Sequence, residues 1–258
     1  MSGSVLITGA NGRIGSLLME GLAKAGWSVR GCDVADGPDG VAQGDICDLE
    51  TMQGLMKGCR SVIHLAGTPN AKPGWEAVNR LNIDGTRTIL EAARREGVSQ
   101  IIYASSIHTI GGLPARTPFV PDLPDRPSGS YGVSKLASEG LLRVYSQKAD
   151  IRAISVRICS FRPAPVDARE LRTWIGYDDT VHLFDRCLCD ETQGYQMIWG
   201  LSGNTRVEVD DPTARRIEYH PQQNAESHIA NITGDPDVEP WPLMGGPVAA
   251  DAETDFLD

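Results

Sequence analysis

Apolar runs and helical patterns alternate along the chain. Val5-Leu6-Ile7 is a short uninterrupted apolar stretch, read as a buried strand, and Thr8-Gly9-Ala10-Asn11-Gly12-Arg13-Ile14-Gly15 follows at once. Ile14, Leu17, Leu18 and Leu22 then recur at helical spacing, which predicts an amphipathic helix. A second strand runs from Trp27 to Cys32 and ends at Asp33. Gly44-Asp45-Ile46 marks a third unit that leads into a helix from Leu49 to Met56, and Val62 to Gly67 reads as a fourth buried strand. Asn82-Ile83-Asp84-Gly85-Thr86 opens a helix to Glu96, and a fifth strand, Ile101 to Ala104, empties into Ser105-Ser106-Ile107-His108-Thr109. Strands and helices alternating at this pace predict an α/β fold with a parallel, doubly wound sheet.

The second half is less regular. Pro114, Pro118, Pro121, Pro124 and Pro127 exclude a helix and predict a loop that returns the chain to a helix beginning near Tyr131. Ala153 to Arg157 reads as a sixth strand. Phe161-Arg162-Pro163-Ala164-Pro165 is an irregular crossing, Asp178-Asp179 an N-cap pair for a helix over Val181 to Cys189, and Met197 to Gly200 a late strand. Residues 234–258 are acidic, rich in Pro and Gly, and without periodicity, so a surface wrap or partly disordered tail is expected. The expected organisation is one unit over residues 1–233, with a core at about 1–160, a small substrate-side part at about 161–233, and the tail.

The chemistry lies where predicted strands end. Glycines between a strand and a helix permit a tight turn and let backbone N–H groups approach a pyrophosphate at a helix N-terminus. The spacing here is GxxGxxG, and its context predicts a Rossmann-type nucleotide site. Asp33, about 20 residues further on, suits both hydroxyls of a ribose and repels a 2′-phosphate, which favours NAD over NADP. Arg13 inside the loop softens that preference. Asp45 and Ile46 fall where a chain can border an adenine ring, and His64 reads as a packed histidine.

Tyr131 and Lys135 stand four residues apart, which on a helix stacks them on one face. A free phenol titrates near ~10, and a neighbouring ammonium is expected to bring it towards the working range of a base. A Tyr-x-x-x-Lys pair alone is commonplace. Ser106, 25 residues upstream at the end of a strand, and the glycine turn give it meaning.

Bulk properties narrow the partners. The 258 residues carry a net charge of −10, which argues against binding a phosphate backbone and for an acidic, solubilising surface. No stretch approaches the ~18 consecutive apolar residues of a membrane span. Met1 to Thr8 runs into a strand without a basic leader, so the cytoplasm is the expected location. Cys32, Cys47, Cys59, Cys159, Cys187 and Cys189 lack the spacing of a zinc site, so reduced thiols and no bound metal are expected.

Together, Thr8 to Gly15, Asp33, Asp45, His64-Leu65-Ala66-Gly67, Asn82, Ser106 and Tyr131-x-x-x-Lys135 resemble the extended short-chain dehydrogenase/reductases over residues 4–160. The resemblance implies Ser106, Tyr131 and Lys135 as catalytic residues, with Asn82 as a structural or proton-relay member. It implies NAD held by Gly9, Asn11, Gly12, Arg13, Ile14, Gly15, Asp33, Asp45, Ile46, Leu65, Ala66 and Gly67, with Tyr131 and Lys135.

A narrower resemblance, to bacterial uronate dehydrogenases, rests on Ala104 to Gly111, Val156-Arg157-Ile158, Ser160, Thr173-Trp174, Asp178-Asp179, Trp199-Gly200 and Asn204. It implies that Arg169 clamps a sugar carboxylate. The chain departs from that family at three places: Ile107 replaces an Asn, Thr68-Pro69 stands in place of a Ser, and Arg206-Val207-Glu208 stands where paired Trp residues are usual. Arg162 and Arg172 add positive charge, which suits a sulfonate as well as a carboxylate. The expected substrate is an anionic aldose, hexuronate first and a 6-sulfo sugar such as sulfoquinovose second. Thr68, Ser106, Ile107, His108, Tyr131, Ser160, Arg162, Arg169 and Arg172 are the candidate contacts. Rival expectations are a nucleotide-sugar epimerase or dehydratase and a non-catalytic NAD-binding sensor. A homo-oligomer through helices at about 83–96 and 131–146 is also expected.

Overall fold

Alternate residues of the first strand, β1 (Ser4–Thr8), enter different cores. Val5 and Ile7 face one and Leu6 the other, as the two-residue period of a strand requires. A computed structural model describes residues 4–69 and 74–250 and shows a sheet covered on both faces. β1 is followed by β2 (Val29–Asp33), β3 (Val41–Gln43), β4 (Cys59–His64), β5 (Gln100–Ser106) and β6 (Arg152–Ile158). β7 (Ser160–Phe161) and β8 (Trp174–Ile175) form a separate parallel pair, and β9 (Tyr195–Gly200) returns to the main sheet. The main sheet has the order β3-β2-β1-β4-β5-β6-β9, and every pair is parallel.

The helices are α1 (Arg13–Lys24), α2 (Leu49–Met56), α3 (Trp75–Val78), α4 (Gly85–Glu96) and α5 (Ser130–Lys148). α6 (Glu170–Thr173), α7 (Tyr177–Cys189), α8 (Pro212–Arg216) and α9 (Pro247–Ala250) follow. Leu18 and Leu22 of α1 join Leu183, Phe184 and Leu188 of α7 over one face of the sheet. Met52 and Met56 of α2, Ile89 and Leu90 of α4, and Leu142 of α5 cover the other. β1 and β4 stand at the reversal of strand order, so their carboxyl ends open onto the crevice where such sheets bind ligands.

Several boundaries differ from those the sequence predicts. β4 begins at Cys59 rather than Val62, because Ser61 is buried in mid-strand and donates to Gln100 Oε1 at 2.8 Å. That bond satisfies a polar group which hydropathy alone places outside a strand. β3 is an edge strand of three residues, too short to show a pattern, and β2 starts at Val29 rather than Trp27. The helix expected from Asn82 is three joined pieces, α3, a wide π-helical turn at Asn79–Asp84, and α4. Residues 242–250 are no loose wrap: Leu243 bridges Pro114, and Met244 is fully buried. Among the described residues, no helix is long and apolar enough to cross a membrane.

Asp178 and Asp179 lie within the first turn of α7, whose N-cap is Gly176. Instead of capping the helix, the buried Asp179 carboxylate accepts the backbone N–H groups of Gln222 (2.7 Å) and Gln223 (3.0 Å), holding a late loop to α7. Asp179→Ala removes the shared acceptor of two part-buried backbone donors, so unfolding stability is expected to fall by about 1–3 kcal/mol, read as a lower urea midpoint.

Candidate active site

Lys135 and Tyr131 occupy one face of α5, directed at the carboxyl end of β5. The Lys135 ammonium is buried and donates to the Ala104 carbonyl at 2.9 Å, with Nζ 5.5 Å from the Tyr131 ring centroid. Ser106 ends β5 and accepts the His108 N–H at 3.2 Å. The His108 ring meets the Tyr131 ring edge-on at 5.7 Å, and its Nδ1 is 2.7 Å from Ser128 Oγ. The protonation balance differs from the expectation. Burial pushes the Tyr131 phenol up to about 12, opposed by a hydrogen bond with the Ser106 side chain, and burial pulls Lys135 down to about 8. Glu139, one turn further along α5, works against that fall by its negative charge.

Asn82 lies behind this group, buried and outside the cavity lining. Its Oδ1 accepts the Thr68 N–H at 2.9 Å, while its Nδ2 donates to Ser134 Oγ at 2.9 Å and to Thr68 O at 3.3 Å. Its side chain ties the Thr68 loop to α5, in keeping with the structural one of the two roles the resemblance implies. The Asn82 carbonyl, within the π-helical turn, accepts hydroxyls from Thr86 (2.6 Å) and Ser138 (2.8 Å). Because Thr86 donates there, it accepts from His64 Nε2–H at 3.1 Å, and His64 Nδ1 accepts from Thr8 at 2.8 Å. Thr8 in turn accepts the Ala66 N–H at 3.3 Å.

One cavity of about 960 Å³ spans the ends of β1, β2, β4, β5 and β6. Gly9, Gly12, Arg13, Ile14, Gly15, Asp33, Asp45, Ile46, Leu65, Ala66 and Gly67 line one part. A Cβ on Gly15 would lie 2.1 Å from the Gly9 carbonyl, so the turn closes this tightly only with glycine there. The turn delivers Gly12 to the start of α1, where the first helical N–H groups have no intrahelical partner. Asp33 faces the cavity and accepts backbone N–H groups from Asn11 (3.0 Å) and Ala35 (3.2 Å), leaving lone pairs for further donors. A glycine-closed helix start for a pyrophosphate and a carboxylate for a ribose fit a dinucleotide.

Other assigned residues have different partners. Asn11 does not line the cavity; its amide donates to Ala35 O and Asp36 O. Arg13 donates to Phe161 O at 3.2 Å and lies over the Phe161 ring, so its charge is committed away from Asp33. Asp45 is paired with Arg80 at 2.6 Å and accepts the Cys47 N–H, which holds its carboxyl below the usual range.

Thr68, Ser106, Ile107, His108, Tyr131, Ser160, Arg162 and Arg169 line the rest of the cavity. Arg169 is buried; Nε donates to Met244 O at 2.7 Å and Nη1 to Ser160 Oγ at 3.1 Å. Among the described residues no carboxylate lies within ion-pairing distance of it. Arg162, by contrast, is bound to Glu170 at 2.8 Å. Arg172 is not in this cavity at all: it pairs with Glu239 and donates to Ala115 O at 2.7 Å. The expected cluster of three arginines therefore reduces to one uncommitted guanidinium. Sequence reasoning missed Cys159 and the C-terminal Gly245, Pro247 and Val248 in the lining, because nothing in an acidic, aperiodic tail signals a return to the site.

Fold and geometry together define an NAD-dependent oxidoreductase of Rossmann type. Residues 5–162 match the NAD dependent epimerase/dehydratase family, and the chain belongs to it, within the extended short-chain dehydrogenase/reductases. Uronate dehydrogenase of Agrobacterium fabrum (strain C58) is 36% identical over 90% of this chain and 91% of its own length. NAD-dependent glucose-6-phosphate dehydrogenase of Haloferax volcanii is 34% identical over 87% and 95%. The crystal structure of uronate dehydrogenase from Agrobacterium tumefaciens, as a mutant complexed with NAD, superposes with a TM-score of 0.90 at 32% identity, covering 98% and 99% of the two chains.

His64 supplies a pH prediction. Burial and the Lys135 charge lower it from 6.5 to about 3, so between these values the unfolded chain holds the extra proton. The stability it contributes is complete above pH 6.5 and is lost as pH falls towards 3. Urea titrations at pH 7 and pH 5 are expected to show about 2 kcal/mol of acid destabilisation from this group, absent in His64→Gln.

Proposed function

We propose that this enzyme oxidises the C1 hemiacetal of a hexuronate to the aldonolactone. The observation that carries the reading is the buried Arg169 guanidinium, which shares a cavity with Ser106, Tyr131 and Lys135. Two of its N–H donors are committed to Met244 O and Ser160 Oγ, and the others suit a planar carboxylate. The commitment of Arg162 to Glu170 and of Arg172 to Glu239 favours a carboxylate over a 6-sulfo group, which a richer cluster would serve. Relatives named uronate dehydrogenase support the same choice.

Bound NAD supplies the hydride acceptor. Tyr131 takes the proton of the anomeric hydroxyl as the C1–H bond breaks and the carbonyl forms. Ser106 donates to the reacting oxygen and fixes its direction, and Arg169 anchors the far end of the sugar, which orients C1. Below about pH 8 the Tyr131–Lys135 pair holds both protons and contains no base. Loss of one proton from the pair near that pH leaves mainly neutral Lys135 beside protonated Tyr131, and transfer of the phenol proton to Lys135 then gives the ammonium–phenolate form that acts as base.

Purified protein with NAD is to be assayed for NADH formation on galacturonate, glucuronate, sulfoquinovose, glucose 6-phosphate and glucose. Turnover of the uronates at a kcat/KM roughly tenfold or more above the others is expected. Preference for the sulfonate or the phosphate overturns the reading, and silence on all sugars returns the epimerase and sensor alternatives. The kcat/KM on the preferred uronate should rise with pH through about 8, and Lys135→Met should move that limb upward towards about 12. A limb that falls through pH 8 would mean the phenolate is not the base.

A further inference from the structure

The segment after Pro242 is built into the site. Ala115 N donates to Pro242 O (3.0 Å), Met244 N to Leu113 O (2.9 Å) and Gly245 N to Gly111 O (2.8 Å), so residues 242–245 are laced to the loop beyond β5. Met244 is buried among Ile107, Ile110, Leu113, Phe119 and Cys159. Its carbonyl accepts the Arg169 Nε–H at 2.7 Å, inside the protein. Gly246 then turns with φ +65°, and α9 starts at Pro247, with Pro247 and Val248 on the cavity wall.

At Gly246 the chain passes directly over the guanidinium. A Cβ there would lie 2.9 Å from Arg169 Nε, 3.0 Å from Cδ and 3.2 Å from Cζ, and the positive φ itself disfavours any side chain. Arg169 cannot keep its present position beneath a larger residue. A buried arginine without a carboxylate partner holds one orientation only if its neighbours over-determine it. Here they are one backbone carbonyl, one hydroxyl and the floor of a glycine turn.

We infer that the strap formed by residues 242–250 positions Arg169 for the substrate anion, with Gly246 as the positioning residue and specificity element. The inference rests on the reading of Arg169 as the anion anchor. It assigns to the C-terminal segment the discrimination between an anionic and a neutral sugar. The chemistry at C1 stays with Ser106, Tyr131 and Lys135, none of which the strap holds.

The test compares Gly246→Ala and Gly246→Val with the parent enzyme in three measurements. These are kcat and KM on galacturonate against glucose, KM for NAD, and the thermal shift produced by galactarate, a dicarboxylate probe that needs no turnover. KM for galacturonate is expected to rise roughly tenfold or more, further for Val than for Ala, with kcat, KM for NAD and the glucose kcat/KM within about twofold. The galactarate shift should shrink in the same order. Unchanged galacturonate KM in both variants overturns the inference, as does an equal loss on galacturonate and glucose, which marks general misfolding. If the parent enzyme binds galactarate but oxidises no uronate, the proposed function falls while loss of binding in the variants sustains the strap's role. If the parent neither binds nor oxidises, both readings fall.

Discussion

Burial of the Lys135 ammonium is the constraint from which the site follows. A charge taken out of water must be hydrogen-bonded and balanced, or the group gives up its proton. Lys135 is bonded to Ala104 O, which fixes α5 against the carboxyl end of β5 and places Tyr131, one helical turn earlier, beside Ser106. One turn later Glu139 accepts Arg157 at 3.0 and 2.8 Å and the Ser105 hydroxyl at 2.6 Å. Tyr131, Lys135 and Glu139 thus form a single stripe of α5 against the ends of β5 and β6. Breaking a buried pair such as Glu139–Arg157 costs about 3–5 kcal/mol, because the remaining charge is left uncompensated.

Behind that stripe the loops are held by polar groups in series. Ala66 N–H, Thr8, His64, Thr86 and the Asn82 carbonyl form one hydrogen-bonded chain through the core, and the Asn82 side chain extends it to Thr68 and Ser134. Each donor in the chain has an acceptor, so this polar interior costs little. Its effect is to connect the glycine turn, the loop after β4 and α5, which carry the residues on both sides of the cavity. The Asn82 carbonyl, in the wide turn at Asn79–Asp84, is the acceptor at which this chain ends.

At the substrate end, ion pairing decides which positive charge is available. Three arginines in a short stretch look equivalent in sequence. Glu170 and Glu239 neutralise Arg162 and Arg172, while Arg169 keeps donors to spare because its neighbours are a carbonyl and a hydroxyl. Ile107 joins Cys159 and Met244 in an apolar cluster beside the loop that holds Arg169.

The sequence by itself determined the parallel α/β fold, the glycine turn and Asp33 at the end of its strand, each of which depends on local periodicity or on the fact that strand ends converge at one edge of a doubly wound sheet. Ser106, Tyr131 and Lys135 were singled out by the family resemblance, and the structure brings them to one cavity. Ser61 in β4, the short edge strand β3, the loop-binding role of Asp179 and the supporting bonds of Asn82 were decided by partners distant in the chain. The same is true of the proton balance, since burial, rather than the Tyr–Lys spacing, raises one pKa and lowers the other. The return of residues 242–250 over Arg169 was equally invisible. It is built from backbone hydrogen bonds and one left-handed glycine, and such contacts leave no pattern of hydrophobic and polar residues to read.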